Sequence, residues 1–156
     1  MKKNNLPPDI QVVFVFQGGG ALGSYQVGVF KGLSEAGYEP QWLAGTSIGA
    51  INAAIIAGNE PSKRVDKLLE FWDIITRITP NFSENVYIRQ FEKIWSSNLT
   101  LLYGQPGFFS PRFPNPWFIV NAKPNEISYY DTSELRGTLE RVIDFDLINK
   151  AQTRLS

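Results

Sequence analysis

The chain has 156 residues, of which 43% are hydrophobic, and its 15 Lys+Arg balance its 15 Asp+Glu. This length and apolar content suit one folded domain rather than a disordered chain, and the balanced charge gives no overall attraction to nucleic acid or an anionic membrane. The chain has neither cysteine nor histidine. A disulfide, a thiolate metal site and a Ser-His-Asp triad therefore cannot be built from these residues, and we expect no metal centre and no nucleic-acid partner.

The chain begins with a strand pattern and a helix pattern. Residues 1–9 are expected to form a flexible lead-in, and the β-branched and aromatic run at residues 10–16 predicts a strand that is buried on both faces. A helix is expected at residues 21–36, ended by Gly37. Its apolar face should contain Leu22, Val29, Leu33 and Ala36. Close packing against a sheet is the expected reason for its internal glycines, Gly23, Gly28 and Gly32.

The strand and helix pattern then repeats. Residues 41–44 predict a short second strand, and the Ala- and Ile-rich residues 48–57 predict a second helix, which Gly58-Asn59 should end. A strand, a turn and a helix occurring twice in 50 residues indicate βαβ units. The expected fold is therefore α/β, a three-layer α/β/α arrangement around a mainly parallel central sheet.

The remaining sequence predicts mostly helices. An amphipathic helix is expected at residues 62–79, with its charges on a solvated face, and another at residues 86–102. Residues 104–118 are rich in proline and aromatic side chains and predict a loop that caps the edge of the core, with a lid or an acyl-chain contact as the alternative.

The end of the sequence leaves the sheet incomplete. Asp131 and Glu134 suggest the start of a helix through Ile143, and residues 153–156 could begin another strand. Since two firm strands do not make a complete α/β/α sheet, we expect residues 10–156 to be the N-terminal portion of a larger domain.

The strongest chemical signal is the turn between the second strand and the second helix. Gly45-Thr46-Ser47-Ile48-Gly49 has the G-x-S-x-G spacing of a nucleophile elbow, in which small Gly45 and Gly49 let the backbone turn sharply around an exposed serine. The helix N-terminus that follows would favour a developing anion. The alternative is an ordinary turn in which Ser47 only caps the helix.

A glycine run follows the first strand and can complete such a site. Successive bare backbones at Gly18, Gly19 and Gly20 allow N–H groups to converge on an oxyanion. Gly18, Gly20 and Gly23 also fit G-x-G-x-x-G, but the acidic residue that dinucleotide binding needs after the second strand is missing, because Glu39 precedes that strand. No Lys follows Gly23, which excludes a Walker A loop.

Taken together, Gly18-Gly19-Gly20-Ala21-Leu22-Gly23 and Gly45-Thr46-Ser47-Ile48-Gly49-Ala50 resemble the start of a patatin-like phospholipase domain, over about residues 10–60. The resemblance implies an α/β/α fold and a Ser-Asp dyad, which agrees with the absence of histidine. It implies that Ser47 is the nucleophile and that the Gly18–Gly20 turn forms the oxyanion hole. No metal or organic cofactor is implied, and the substrate would be a lipid or another acyl ester.

One element of the family pattern is missing. The family's aspartate precedes a glycine in an Asp-Gly-Gly or Asp-Gly-Ala motif, but no aspartate of this chain is followed by glycine. The six are Asp9, Asp66, Asp73, Asp131, Asp144 and Asp146. We therefore expect the catalytic aspartate beyond Ser156 and an inactive isolated fragment. The alternatives are a catalytically silent binding or regulatory module and an acyltransferase.

The sequence also bears on the cellular location. The longest apolar stretch, residues 43–57, contains polar side chains and is shorter than the roughly 20 residues of a transmembrane helix. The expectation is a soluble cytoplasmic protein, with peripheral membrane contact left open and the oligomeric state not predicted.

Overall fold

The structure is a computed structural model that describes Pro7 and residues 9–76, 107–111 and 130–156. These residues belong to two compact units, residues 1–72 with 139–156, and residues 73–138. The described strands are β1 (Val13–Phe16), β2 (Trp42–Gly45), β3 (Ser110–Pro111), β4 (Tyr130–Asp131) and β5 (Arg154–Leu155). The described helices are α1 (Gly23–Glu35), α2 (Ile48–Ala57), α3 (Arg64–Thr76), α4 (Ser133–Val142) and α5 (Phe145–Asn149), with a 3-10 turn at Gly20–Leu22 before α1.

The first unit is built on a parallel sheet of order β1-β2-β5. Phe14 of β1 lies opposite Leu43 of β2, and Leu43 lies opposite Leu155 of β5. The α/β class and the parallel sheet are thereby confirmed, and so is the strand expected within residues 153–156. In the second unit, β3 and β4 pair antiparallel.

The core of the sheet lies on one face. The Phe14 ring packs edge-on against the Phe30 ring of α1, with 6.0 Å between the ring centroids. Leu43 is fully buried. On the opposite face, Val13 and Val15 are 40% and 76% exposed. The prediction that β1 is buried on both faces is therefore wrong for these valines, because α1 contacts the phenylalanine face and β1 ends the strand order of the described sheet.

The buried face of α1 also differs from the prediction. The residues that face the core are Gly23, Val27, Phe30 and Ser34. Leu22 and Val29, expected inside, are 63% and 60% exposed. The reason is that the helix begins at Gly23, and the residues on the same side as Gly23 face α2 and α3. A Cβ built on Gly23 would lie 2.9 Å from the Ile48 side chain and 3.0 Å from Trp72.

The internal glycines of α1 do not share one role. Gly23 makes the expected close approach to its neighbours. Gly28 and Gly32 are exposed, and a Cβ at either position would meet none of the described residues within 4 Å, so close packing was the wrong explanation for both in this part of the chain. Gly37 ends the helix as predicted: it has φ 86°, and the N–H groups of Gly37 and Tyr38 donate to the carbonyls of Ser34 and Leu33.

Helix α2 has the predicted bounds, and Gly58-Asn59 follows it. The Asn59 Nδ2 donates to the Ile55 carbonyl at 2.8 Å and to the Val142 carbonyl at 2.7 Å. It thus provides a donor for one carbonyl in the last turn of α2 and one in the last turn of α4. Asn59 itself is 8% exposed. This buried amide joins two helices that are far apart in sequence.

Helix α3 begins two residues later than predicted, and its first residue is not on a solvated face. Arg64 is 6% exposed and donates to the Asn59 carbonyl, the Glu39 carboxylate and the Thr153 hydroxyl at 3.1, 2.8 and 3.0 Å. Burial lowers the pKa of the Arg64 guanidinium, and the charge of Glu39 opposes that shift. The solvated-face prediction is therefore wrong for Arg64, since long-range acceptors compensate its burial.

Helix α4 starts at Ser133, and the two acidic residues before and within its first turn have different partners. Asp131 accepts from the Ser133 N–H at 2.9 Å, whereas Glu134 accepts from the Gly107 N–H at 2.9 Å. Helix α5 was not predicted; Asp144 caps it by accepting from the Leu147 N–H at 3.1 Å.

Several sequence predictions lie outside the described residues. They are the helix at residues 86–102, most of the lead-in at residues 1–9, most of the loop at residues 104–118, and the last three residues of the helix expected at 62–79.

Candidate active site

Ser47 lies on the sharp turn between β2 and α2. It has φ 55° and ψ −127°, a conformation that is unusual for a residue with a side chain, and it is exposed. It occupies the position before α2, yet its hydroxyl makes no capping hydrogen bond with that helix. The alternative in which Ser47 serves as a helix cap is therefore contradicted.

Gly45 and Gly49 make the turn around Ser47 possible. A Cβ built on Gly45 would lie 2.4 Å from the Gly49 carbonyl oxygen, and one on Gly49 would lie 2.3 Å from the Phe16 carbonyl oxygen and 2.6 Å from that of Gln17. Backbone cannot move aside as a flexible side chain can. The two glycines thus allow α2 to start directly against the ends of β2 and β1.

The glycine run after β1 comes next to the same turn. The Thr46 N–H donates to the Phe16 carbonyl at 3.0 Å, which holds the ends of the two strands together. A Cβ built on Gly18 would lie 3.2 Å from the Ser47 Cβ and 3.9 Å from its Oγ. Gly19 and Gly20 have φ 147° and 55°, which reverse the chain into the 3-10 turn. The structure therefore brings Gly18 beside Ser47, with Gly19 and Gly20 continuing the turn.

Beneath this turn lies a polar network that sequence reasoning missed. Asn52 of α2 is 1% exposed; its Nδ2 donates to the Gly23 carbonyl at 3.0 Å and to Gln26 Oε1 at 2.9 Å. Its Oδ1 accepts from Trp72 Nε1 at 3.1 Å. Gln26 in turn donates from Nε2 to the Gln17 carbonyl at 2.7 Å. The available sequence signal was a single asparagine in an otherwise apolar helix.

An apolar groove of ≈610 Å³ runs along β1 and α1 and includes Gln17 and Gly18 among its lining residues. Its exposed apolar side chains are Val13, Val15, Leu22, Tyr25 and Val29. Because Gly18 lies against Ser47, the groove begins beside the serine turn.

Glu39 binds two side chains of the protein, whereas the acidic residue of a dinucleotide site would bind a ribose hydroxyl. It accepts from the Arg64 Nη1 at 2.8 Å and from the Ser34 hydroxyl at 3.1 Å. The carboxylate thus pairs with a buried cation within the fold, which agrees with the sequence argument against a ribose contact.

In the described structure, a serine at positive φ lies between a parallel strand and a helix, and two glycines in close backbone contact flank it. The chain belongs to the patatin-like phospholipase family, because the sequence model of that family matches residues 14–156.

Two relatives are similar in sequence to a short part of this chain. An uncharacterised protein of Bacillus subtilis, YqhO, is 45% identical over 56 residues, which are 36% of this chain and 19% of that protein. The lysophospholipase nte1 of Aspergillus terreus is 54% identical over 46 residues, 30% of this chain and 3% of that enzyme. The similarity thus spans about a fifth or less of either relative. No solved structure matches the chain significantly.

Within the part of the chain that the structure describes, no helix is both long and apolar enough to cross a membrane.

Proposed function

We propose that this chain carries the nucleophile and the oxyanion hole of a serine acyl hydrolase that cleaves carboxylic esters of lipids, in the manner of a phospholipase or lysophospholipase. The observation that carries the proposal is the conformation of Ser47: an exposed serine held at φ 55° beside Gly18, without a capping role. Strain of this kind persists only where the surrounding structure enforces it, and it concentrates at functional sites.

The proposed reaction proceeds through an acyl-enzyme. Ser47 Oγ adds to the ester carbonyl while a general base takes its proton, and N–H groups of the Gly18–Gly20 turn hold the carbonyl oxygen as it becomes negative. Collapse of this intermediate expels the alcohol, which takes up the proton, and leaves the acyl group on Ser47. Water then attacks the acyl-serine while the same base accepts its proton. The bond from the acyl carbon to Ser47 Oγ breaks, the base returns the proton to Oγ, and the fatty acid leaves.

The base that we propose is an aspartate outside residues 1–156. No aspartate of this chain precedes a glycine, and two of them already bind backbone N–H groups: Asp131 that of Ser133, and Asp144 that of Leu147. Residues 1–156 alone should therefore lack turnover, since a general base commonly contributes 10²–10⁴-fold.

Two features support a lipid ester as the substrate. The chain is a member of the patatin-like phospholipase family, and one of its relatives is named a lysophospholipase. The apolar groove that begins at Gly18 offers a surface on which an acyl chain could lie beside the reacting carbonyl. If an alcohol rather than water accepts the acyl group, the same site acts as an acyltransferase.

Covalent labelling tests the proposal. The full-length protein that contains these residues is treated with a fluorophosphonate, and intact-mass measurement with peptide mapping locates the adduct; Ser47→Ala is the control. We expect one adduct, on Ser47, that is absent from the variant. A folded, full-length protein that acquires no adduct would overturn the hydrolase and favour the silent binding module, for which the missing Asp-Gly motif is the supporting observation.

A further inference from the structure

Three side chains form a chain of hydrogen bonds that ends on the backbone of the glycine turn. Trp72 Nε1 donates to Asn52 Oδ1 at 3.1 Å, Asn52 Nδ2 donates to Gln26 Oε1 at 2.9 Å, and Gln26 Nε2 donates to the Gln17 carbonyl at 2.7 Å. Trp72 and Asn52 are buried, with 8% and 1% of their surface exposed. The bond between Trp72 and Asn52 is therefore shielded from water, whereas the bond from Gln26 to Gln17 lies nearer the surface.

The chain has a fixed direction. An indole N–H can only donate, so Asn52 must turn its oxygen toward Trp72 and its Nδ2 toward Gln26. The second proton of that Nδ2 is held by the Gly23 carbonyl at 3.0 Å. Gln26 must then present its oxygen to Asn52 and its nitrogen to Gln17. One indole proton thus sets the orientation of two side-chain amides.

The last acceptor is part of the peptide that carries the Gly18 N–H. In a planar trans peptide the carbonyl of Gln17 and the N–H of Gly18 point in opposite directions, so a bond that fixes one fixes the other. Gly18 is also the glycine of the turn that lies beside Ser47. A Cβ built on Gly18 would lie 3.2 Å from the Ser47 Cβ.

We propose that Gln26, Asn52 and Trp72 are positioning residues that aim the Gly18 N–H at the oxyanion formed when Ser47 attacks an ester. This inference rests on the proposed function. The chain acts through the backbone: none of the three side chains needs to touch the substrate. A preoriented donor stabilises charge that develops in the transition state and leaves ground-state binding largely unchanged.

Steady-state kinetics on full-length protein with 4-nitrophenyl butyrate separates positioning from simple stability. Gln26→Met removes the donor to Gln17 at a partly exposed site, and Trp72→Phe removes the indole proton while keeping an aromatic ring. We expect kcat to fall about 10- to 100-fold in each, with KM within about twofold. This is less than the 10²–10³-fold loss that follows removal of an oxyanion donor, because the Gly18 N–H itself remains. The double variant should fall no further than the stronger single variant, because both interrupt one chain.

The matched control is Asn59→Ala. Asn59 is also a buried asparagine that donates twice to backbone carbonyls, but at the other end of α2. It should lower stability and leave kcat unchanged. A comparable loss of kcat in Asn59→Ala, or unchanged kcat in both Gln26→Met and Trp72→Phe, would overturn the positioning role.

A second readout does not depend on catalysis. The ¹⁵N resonance of the Gly18 amide should shift in Gln26→Met and Trp72→Phe and stay in place in Asn59→Ala; no shift in the first two would contradict the proposal. Failure of the proposed function is distinguishable, because it would appear as no esterase activity in the unmodified full-length protein or as full activity in Ser47→Ala. Loss of activity in Ser47→Ala combined with normal kcat in both Gln26→Met and Trp72→Phe would reject the positioning role alone.

Discussion

At the scale of single residues, Ser47 combines exposure with backbone strain. Its φ of 55° and ψ of −127° lie where a Cβ is unfavourable, at a cost of about 1–3 kcal/mol. Gly45 and Gly49 hold this conformation by direct backbone contact on both sides of the turn. The stability that the fold loses at Ser47 is thus the cost of presenting its hydroxyl at the end of β2.

The strain leads to a prediction about two substitutions of Ser47. Both Ser47→Gly and Ser47→Ala remove the hydroxyl, but only glycine removes the Cβ that the positive φ disfavours. Ser47→Gly should therefore have a free energy of unfolding about 1–2 kcal/mol higher than Ser47→Ala. Urea denaturation of the two variants measures the difference. Equal stability would mean that the turn relaxes away from φ 55° in solution.

At the scale of secondary structure elements, α1 contains two glycines that pack against none of the residues the structure describes. Gly28 and Gly32 are exposed, and a Cβ at either site would enter open space. Alanine at each position should raise the free energy of unfolding by about 0.5–1 kcal/mol, because it lowers the entropy lost when the helix forms. Thermal unfolding followed by circular dichroism tests this.

Gly23→Ala is the matched substitution in the same helix. Its Cβ would lie 2.9 Å from Ile48 and 3.0 Å from Trp72, so it should destabilise the protein instead. Destabilisation by Gly28→Ala or Gly32→Ala would show that another part of the protein packs on the outer face of α1.

Helices α3 and α4 are joined by a carboxylate whose protonation should affect stability. Glu70 accepts from Lys67 at 2.8 Å and from Arg141 at 2.9 Å. The hydrogen bond from Lys67 is the largest cause that lowers the pKa of Glu70, followed by the charge of Lys67 and the contact with Arg141, while partial burial opposes the shift. Because the folded pKa is below the unfolded one, this stabilisation is present above the ordinary glutamate pKa of about 4.3 and is lost as the pH falls through the folded value.

Glu70→Gln should therefore unfold with a free energy about 0.5–1 kcal/mol lower at pH 7, and the difference should shrink as the pH falls below about 4. Urea denaturation at a series of pH values measures it. Glu35→Gln is the control, since the Lys31–Glu35 pair is more exposed, at 53% and 65% of the side chains, and should contribute less. A Glu70→Gln difference that persists at pH 2 would be incompatible with this assignment.

At the scale of the first compact unit, Arg64 ties distant parts of the chain together. Its guanidinium bonds Glu39 before β2, Asn59 after α2 and Thr153 before β5. Arg64→Met removes all these bonds. Buried Asn59 and Thr153 lose this donor. Glu39, whose side chain is 37% exposed, keeps only its bond from Ser34 among those described above. We expect a loss of about 3 kcal/mol in the free energy of unfolding, the usual range for breaking a buried ion pair.

Lys31→Met provides the comparison for Arg64→Met. Lys31 also forms an ion pair shorter than 3 Å, at 2.7 Å from Glu35, but on the surface of α1. Its loss should cost less than about 0.5 kcal/mol in the same urea titration. Similar costs for the two variants would contradict the importance of burial at Arg64.

The sequence predicted what depends on residues close together in the chain. The serine turn, the bounds of α2 and the end of α1 at Gly37 all follow from local conformational preferences of glycine, serine and alanine. The family resemblance followed from the same two glycine-rich turns, and the match over residues 14–156 confirms it.

What the sequence by itself determined is therefore the α/β class, the order of its first elements and a serine between two glycines. The tertiary structure decided which row of α1 faces inward, that Arg64 is buried, and that Trp72, Asn52 and Gln26 meet beneath the glycine turn. The physical reason is that turn conformations and helix ends depend on neighbouring residues, whereas burial and hydrogen-bond partners depend on residues 20 to 89 positions apart that only the packed fold brings together.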